Sequence, residues 1–199
     1  MKRFCLCFSI TVLLFAVCSG IFLTHTANTL SREMLRLHVI ANSDSADDQA
    51  VKLLVRNAVC AEMESLTAEA TDKAAVMEAV TAHTDTLTAV AKETLVAAGC
   101  DLPVTVTVCR ESYPTRAYDT FTLPAGVYDS VQVKIGAASG QNWWCVLFPP
   151  LCMGVAEVEE ELVEVGFTPG QVKLITDSDA VDYTIQFKVV EWVRALQKK

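Results

Sequence analysis

The sequence predicts an α+β domain behind an N-terminal signal peptide or transmembrane helix. Three observations lead to this prediction. The chain begins with two basic residues and a long uncharged run, the part that follows places apolar residues at helical spacing, and the middle alternates apolar and polar residues as strands do. With 199 residues, 52% hydrophobic and 20% charged, the chain is long enough for one folded domain with its own core.

The first 30 residues have the features of an export signal. Lys2 and Arg3 form a basic start, and the 20 residues from Phe4 to Leu23 carry no charge. A run of that length can cross a bilayer as a helix, and the positive-inside rule sends everything after it across the membrane. We therefore expect residues 1–30 to be a signal peptide or membrane anchor and residues 31–199 to be an exported α+β domain; cleavage and tethering both stay open.

The exported part is expected to begin with one strand and two helices. The alternating segment MLRLHVIA, residues 34–41, predicts the strand. The polar stretch NSDSADD ends it, and Asp44 or Ser45 is a suitable N-cap for a helix whose apolar spacing is clear from residue 49. A second helix is expected from about Asp72 to Ala98, before a glycine.

The following segments show the period of two that is typical of strands. PVTVTVCRE, TRAYDTFTL and VYDSVQVKIG predict an antiparallel β-meander with a turn at Leu123–Gly126. WWCVLF is expected to be a short buried strand that ends at Pro149–Pro150. An acidic helix, VAEVEEELVEV, and a closing amphipathic helix at Tyr183–Lys199 complete the prediction.

Composition argues against two classes of function. The net charge is −8 and no Lys/Arg cluster occurs, so nucleic-acid binding is not expected. His25, His38 and His83 have no mutual ligand spacing and no CxxC is present, so we expect neither a metal nor a cofactor. NSDSADDQ lacks the glycine of a calcium loop and has Ala46 at a ligand position, which favours the helix-cap interpretation.

The stretch NWWCVLFPPLC admits several kinds of site. Cys145 and Cys152 are close enough in sequence for a disulfide, Cys109 is a competing partner, and reduced buried thiols are the alternative. A thiol enzyme would use Cys145 as nucleophile, His38 as base and Asn42 to orient the base. An apolar strand raises a thiol pKa, however, which disfavours that hypothesis.

Aromatic and arginine side chains are the other candidates. Trp143 and Trp144 are expected to point to opposite faces of their strand, where each is either core or an exposed interface anchor. In SYPTRAY, Arg116 could hold a carboxylate or stack on an aromatic ring, or form a surface salt bridge.

Two long strings, taken together, resemble a known family. LRLHVIANSDSADDQAVKLLVRNAV and YPTRAYDTFTLPAGVYDSVQVKIGAASGQNWWCVLFPPLC are similar to the stage II sporulation protein R family over roughly Leu35–Cys152, and FKVVEW near the end fits as well. The resemblance implies a non-enzymatic signal that is made in the forespore and exported into the space between the forespore and mother-cell membranes. There, such proteins trigger a membrane-embedded aspartic protease that removes the pro-sequence of sigma factor E.

That resemblance implies a protein-binding surface and no small-molecule substrate. Binding surfaces concentrate their free energy in a few desolvated aromatic and arginine side chains. We expect the anchors among five residues, held in shape by the prolines and the Cys145–Cys152 bond: Tyr113, Arg116, Asn142, Trp143 and Trp144. The alternatives are an exported cell-envelope thiol hydrolase that uses Cys145, and a structural envelope protein.

Overall fold

The computed structural model describes residues 2–118, 120–151 and 158–176, some of them by backbone alone. Its first element is helix α1 (Lys2–Glu33), which contains the predicted leader. Among the residues so described, no helix combines the length and the apolar character needed to span a bilayer. The assignment of residues 1–30 as leader or anchor stays a prediction, and the expected helix at Tyr183–Lys199 lies outside the described residues.

The chain divides into two compact units. The sheet unit comprises Glu33–Glu111 and Tyr128–Phe167, and the flanking unit comprises the described residues of Met1–Arg32, Ser112–Val127 and Thr168–Lys199. Together they confirm a mixed α+β protein.

The sheet unit begins with the predicted strand and helix. Strand β1 (Leu35–Ile40) buries alternate leucine and valine side chains completely. Helix α2 (Ala46–Thr67) starts at Ser45, whose hydroxyl accepts a hydrogen bond from the backbone N–H of Asp48. The capping side chain and the acidic first turn explain why the helix begins at this point.

The single long helix expected from Asp72 to Ala98 is two helices. Helix α3 (Lys73–Ala82) is capped by the carboxylate of Asp72, and helix α4 (Thr84–Ala97) follows directly. The break falls at His83, whose backbone has left the helical region (φ −116°, ψ 22°). The break lets both helices pack against α2. It was not predictable from the sequence, because a segment rich in Ala and Thr contains no Pro or Gly that would mark it.

The main sheet, which has four strands among the described residues, is mixed. It contains β1, β2 (Val104–Tyr113), β5 (Gly126–Ile135) and β6 (Asn142–Phe148), in the order β2-β5-β1-β6. Strand β1 pairs parallel with β5 and antiparallel with β6. Burial on both faces explains why β1, apolar over most of its length, takes a central position.

The prediction of one antiparallel meander was wrong in its connectivity. The two long strands β2 and β5 are direct neighbours. The segment between them forms a separate antiparallel pair in the flanking unit, β3 (Arg116–Ala117) with β4 (Thr122–Leu123). Period-two patterning identifies strands but not their partners, because the same alternation suits either direction of pairing.

Helices complete each unit. In the sheet unit, α2, α3 and α4 cover one face of the sheet and form the core with its valines and leucines, and helix α5 (Val158–Glu164) comes after β6 in the sequence. In the flanking unit, helix α6 (Pro169–Thr176) packs against β4, and the rings of Tyr118 and Phe121 stack with their centroids 4.5 Å apart.

Candidate functional site

The two tryptophans lie on opposite faces of strand β6, as predicted. Trp143 is opposite Val39 of β1, and Trp144 is opposite His38. Successive side chains of a strand point to opposite faces, so the two rings lie on the two faces of the sheet. Strand β6 is also an edge strand of the described sheet. Both indole rings are half-buried, so each combines packing with accessible surface.

Trp143 is covered by an arginine from helix α2. The guanidinium carbon of Arg56 lies 4.2 Å from the centroid of the Trp143 ring, and two nitrogens of Arg56 donate to Oδ1 of Asn57 at 2.9 and 2.6 Å. This geometry is a cation–π contact. The buried indole Nε1 of Trp143 has no hydrogen-bond partner among the described residues.

Trp144 faces a network of polar side chains centred on His38. The His38 and Trp144 ring centroids are 5.7 Å apart with a tilt of 55°. Nε2 of His38 lies 2.9 Å from Oδ1 of Asn142, and Nδ1 donates to the carboxylate of Glu111 at 3.1 Å. His38 therefore links three strands: β1, β2 through Glu111, and β6 through Asn142.

Glu111 is the acceptor at the centre of this network. Besides His38, the hydroxyl of Ser130 donates to its Oε2 at 2.9 Å and the amide of Gln132 donates to its Oε1. The side chains of His38 and Glu111 are only 12% and 19% exposed. Three donors directed at one largely buried carboxylate satisfy a group that would otherwise be costly to remove from water.

The same face of β1 carries a completely buried arginine. Arg36 has no exposed surface, and its guanidinium carbon lies 5.0 Å from the centroid of the buried Tyr128 ring. Its register partner on β5 is Ser130, just as the partner of His38 is Gln132. One face of the β1–β5 pair is thus apolar core and the other is polar and mostly buried.

Hydrogen bonds between the loops that follow β1 and β5 stabilise the pairing of these two strands. Oδ1 of Asn42 accepts from the backbone N–H of Ala137 at 2.9 Å, while its Nδ2 donates to Asp48 at 2.9 Å. Hydrogen bonds from Ser43 and then from Asn42 lower the pKa of the Asp48 carboxyl. A Cβ on Gly140 would lie 2.2 Å from the carbonyl oxygen of Ser43, so only glycine fits there.

A buried lysine ties helix α2 to the start of β6. Lys52 is 4% exposed, and its Nζ donates to Oε1 of Gln49 at 2.6 Å and to the carbonyl of Gln141 at 3.1 Å. Burial, followed by repulsion from Arg56, lowers the pKa of the Lys52 ammonium group. The hydrogen bond to Gln141 fixes the residue immediately before Asn142, so it positions the start of strand β6.

The other two predicted anchors belong to the flanking unit. Tyr113 is only 3% exposed, and a side chain buried to that extent offers little surface to a partner. Arg116 is exposed on β3, where it is paired with Leu123. Of the predicted set, Asn142, Trp143 and Trp144 share one strand; the binding role of all five residues stays a prediction.

The cysteines differ in their chemistry. Cys145 is disulfide-bonded, and its partner is not among the side chains described, so its pairing with Cys152 stays a prediction. Cys60, Cys100 and Cys109 are free thiols. Burial raises the pKa of Cys60 to about 11 and, together with the charge of Glu111, raises the pKa of Cys109.

The structure does not assemble the hypothetical thiol triad. Cys145 is opposite Leu37 on the apolar face of β1, whereas the His38 ring contacts Glu111 and Asn142 on the other face. The side chain of Asn42 is used in the loops. In the part of the chain that the structure describes, no group of His, Cys, Asp and Glu side chains could hold a metal ion.

Sequence reasoning missed most of the polar network. Arg36, Lys52, Glu111, Ser130 and Gln132 were not singled out. The available signal was the string LRLHVI, in which two polar side chains alternate with apolar ones in an otherwise buried strand. Such a pattern indicates polar residues that need partners inside the protein. Their partners could not be named, because they come from strands distant in sequence.

These features define a mixed α+β protein in which an aromatic edge strand is supported by a buried polar network. Comparison with known proteins identifies it further. Residues 31–158 match the model of the family described as Stage II sporulation protein R. The chain is also similar to Stage II sporulation protein R of Bacillus subtilis (strain 168), with 30% identity over 220 aligned residues that cover 98% of each chain. No solved structure matches significantly. The chain belongs to the stage II sporulation protein R family, and its role is in sporulation.

Proposed function

We propose that this protein is an exported, non-catalytic sporulation signal that activates a membrane-embedded aspartic protease in the neighbouring compartment. Activation of the protease leads to processing of pro-sigma factor E. The observation that carries the proposal is the similarity to a stage II sporulation protein R along 98% of both chains, which spans the leader as well as the domain.

Export is part of the proposal. The basic start and the uncharged run up to Leu23 support a leader that places the domain in the space between the forespore and mother-cell membranes. We propose that this segment is either removed or retained as a tether, with the domain facing the protease in both cases.

Activation is proposed to act through binding. A ligand shifts an enzyme toward its active form when it binds that form more tightly than the inactive one. Trp143 with its Arg56 cover, and Trp144 with Asn142, supply the aromatic and arginine groups that commonly anchor interfaces. Strand pairing and the network around His38 hold these groups in place before a partner arrives, which reduces the entropy cost of binding.

Reconstitution tests the proposal directly. The full chain is co-expressed with the protease and pro-sigma factor E in a bacterium that does not sporulate, and the size of the sigma factor is followed on a blot. A version without residues 2–30 serves as the control for export. We expect processing only with the exported protein; absence of processing by a folded and exported protein contradicts the proposal.

Single substitutions then test the proposed anchors. Trp143→Ala or Trp144→Ala is expected to reduce activation by about 30-fold or more, which corresponds to the loss of one interface hot spot. Val96→Ala, at a 60% exposed apolar residue of helix α4, is the matched control. If a tryptophan variant keeps its circular dichroism spectrum and activates fully, that tryptophan is not an anchor.

A cysteine comparison separates this proposal from a thiol hydrolase. Cys145→Ser removes the nucleophile that a hydrolase would need, whereas Cys152→Ser leaves that nucleophile in place. We expect the two variants to have equal effects on activation, because each breaks the same predicted disulfide. Loss of activity in Cys145→Ser alone would favour the hydrolase.

A further inference from the structure

A cavity of about 520 Å³ lies in the sheet unit, beside the C-terminal half of helix α2. We call it the α2–β6 groove, because it is lined by the end of that helix, the turn that follows it and the end of strand β6. Residues at the end of helix α5 also line it. Its volume lies within the range of about 300–1,000 Å³ that is typical of ligand pockets.

The groove has an apolar lining. Met63 and Val76 contribute side chains that are 3% and 4% exposed, and Leu147 and Phe148 of β6 are half-buried in its wall. A large aliphatic or aromatic side chain placed there would contact apolar atoms on several sides. The contribution from burying such a side chain is the usual source of affinity in peptide grooves.

The charges of the groove have one sign. Glu64 of helix α2 and Glu164 of helix α5 both line it and are both exposed, and its described lining contains no Lys or Arg. The whole chain carries a net charge of −8. Two carboxylates beside an apolar cavity attract a cation and repel an anion, so a fatty acid or another acidic surface fits this groove poorly.

We propose that the α2–β6 groove docks a segment of a partner protein in which a large apolar side chain stands next to Lys or Arg. The apolar side chain enters between Met63 and Phe148, and the basic side chain meets Glu64 and Glu164. The wall that β6 supplies belongs to the strand that carries Trp143, whose ring is on the side of helix α2, so one extended segment can contact the groove and Trp143. This inference does not depend on which protein is activated.

A selection experiment with defined variants tests the proposal. A library of random octapeptides on phage is selected on the full-length protein in lipid nanodiscs. We expect enriched sequences to combine a large apolar residue with an adjacent Lys or Arg. In a protein whose methionine methyl groups carry ¹³C, these peptides should shift the Met63 signal.

Charge reversal identifies the site. Glu64→Lys with Glu164→Lys should weaken the selected peptides by about tenfold, as expected for two electrostatic contacts that become repulsive. Asp85→Lys with Glu93→Lys changes the net charge equally, at exposed residues of helix α4, no residue of which belongs to the described lining, and should change binding less than about twofold. All four positions are exposed, and circular dichroism verifies that both variants fold.

Several results would overturn the proposal. Enriched peptides without a basic residue, or equal losses of peptide affinity in the two charge-reversed variants, would show that Glu64 and Glu164 do not select a basic side chain. A failure to enrich any peptide would indicate that the groove is closed or filled by the chain itself. Saturable binding of a fluorescent fatty acid, or a dimer that the Glu64→Lys, Glu164→Lys variant abolishes, would assign the groove to a lipid or to a second copy.

Discussion

Replacement of Glu111 by glutamine probes the polar network on the buried face of the sheet. The carboxylate accepts hydrogen bonds from His38, Ser130 and Gln132, and it is 19% exposed. Glutamine has nearly the same shape but only one acceptor oxygen. Its amide group must therefore face at least one of the three donors, and that donor loses its partner.

The expected loss of stability follows from this count. A buried donor left without a partner costs about 1–3 kcal/mol, and the remaining hydrogen bonds lose the extra strength that a charged acceptor gives them. We expect Glu111→Gln to lower the free energy of unfolding by about 2–3 kcal/mol. For a protein of this size, that corresponds to a fall in Tm of about 5–10 °C.

Urea unfolding of the full chain, followed by tryptophan fluorescence, measures the effect. Glu78→Gln at an exposed position of helix α3 is the matched control and should change stability by less than about 0.5 kcal/mol. His38→Ala should be less harmful in the Glu111→Gln background than alone, because both changes damage one network. A Glu111→Gln protein as stable as the control would refute the argument that these hydrogen bonds contribute to stability.

Three further perturbations have defined outcomes. Gly140→Ala should cost about 1–3 kcal/mol in thermal unfolding because its Cβ meets the Ser43 carbonyl, whereas Gly170→Ala, with open space around it, should be close to neutral. The pKa of Cys60 is about 11 in the folded protein against 9.0 for an ordinary thiol, so folding retains a proton that the unfolded chain loses. The contribution of this thiol to the free energy of unfolding is complete below pH 9 and falls by up to about 2–3 kcal/mol as the pH rises to 11. Cys60→Ala should unfold with a smaller decline over that interval, and an unchanged decline would contradict the assignment. Mass spectrometry after alkylation without reductant should leave Cys145 and Cys152 unlabelled, and labelling of Cys152 in the native protein would exclude their pairing.

Local features of the fold were predictable from the sequence. Alternation in LRLHVI located β1, the residues after it located the capped start of α2, and adjacency along a strand placed Trp143 and Trp144 on opposite faces. Each of these features depends on residues within a few positions of one another. The required information is therefore present in a short window of sequence.

Features that depend on distant residues were not predictable. The parallel pairing of β1 with β5 aligns Leu35 with Asp129. The hydrogen bond between His38 and Glu111 joins residues 73 positions apart, and Ser130 and Gln132 reach the same carboxylate from a third strand. Burial of Lys52 is a similar case, because its carbonyl partner on Gln141 is 89 residues away. Propensity and periodicity carry no information about such partners.

The position of β1 in the sheet affects how the protein can fold as it emerges from a ribosome or a translocation channel. Its neighbours are β5 and β6, and the contact between His38 and Asn142 spans 104 residues. The first hundred residues can form helices early but have no strand with which to complete the sheet. Among the strands that the structure describes, β6 is the last to be synthesised, so a chain stopped short of it leaves β1 without one partner. The pairing of β1 with β6 and the placement of the tryptophans are therefore the same event, and a chain that ends before residue 142 can present neither of them.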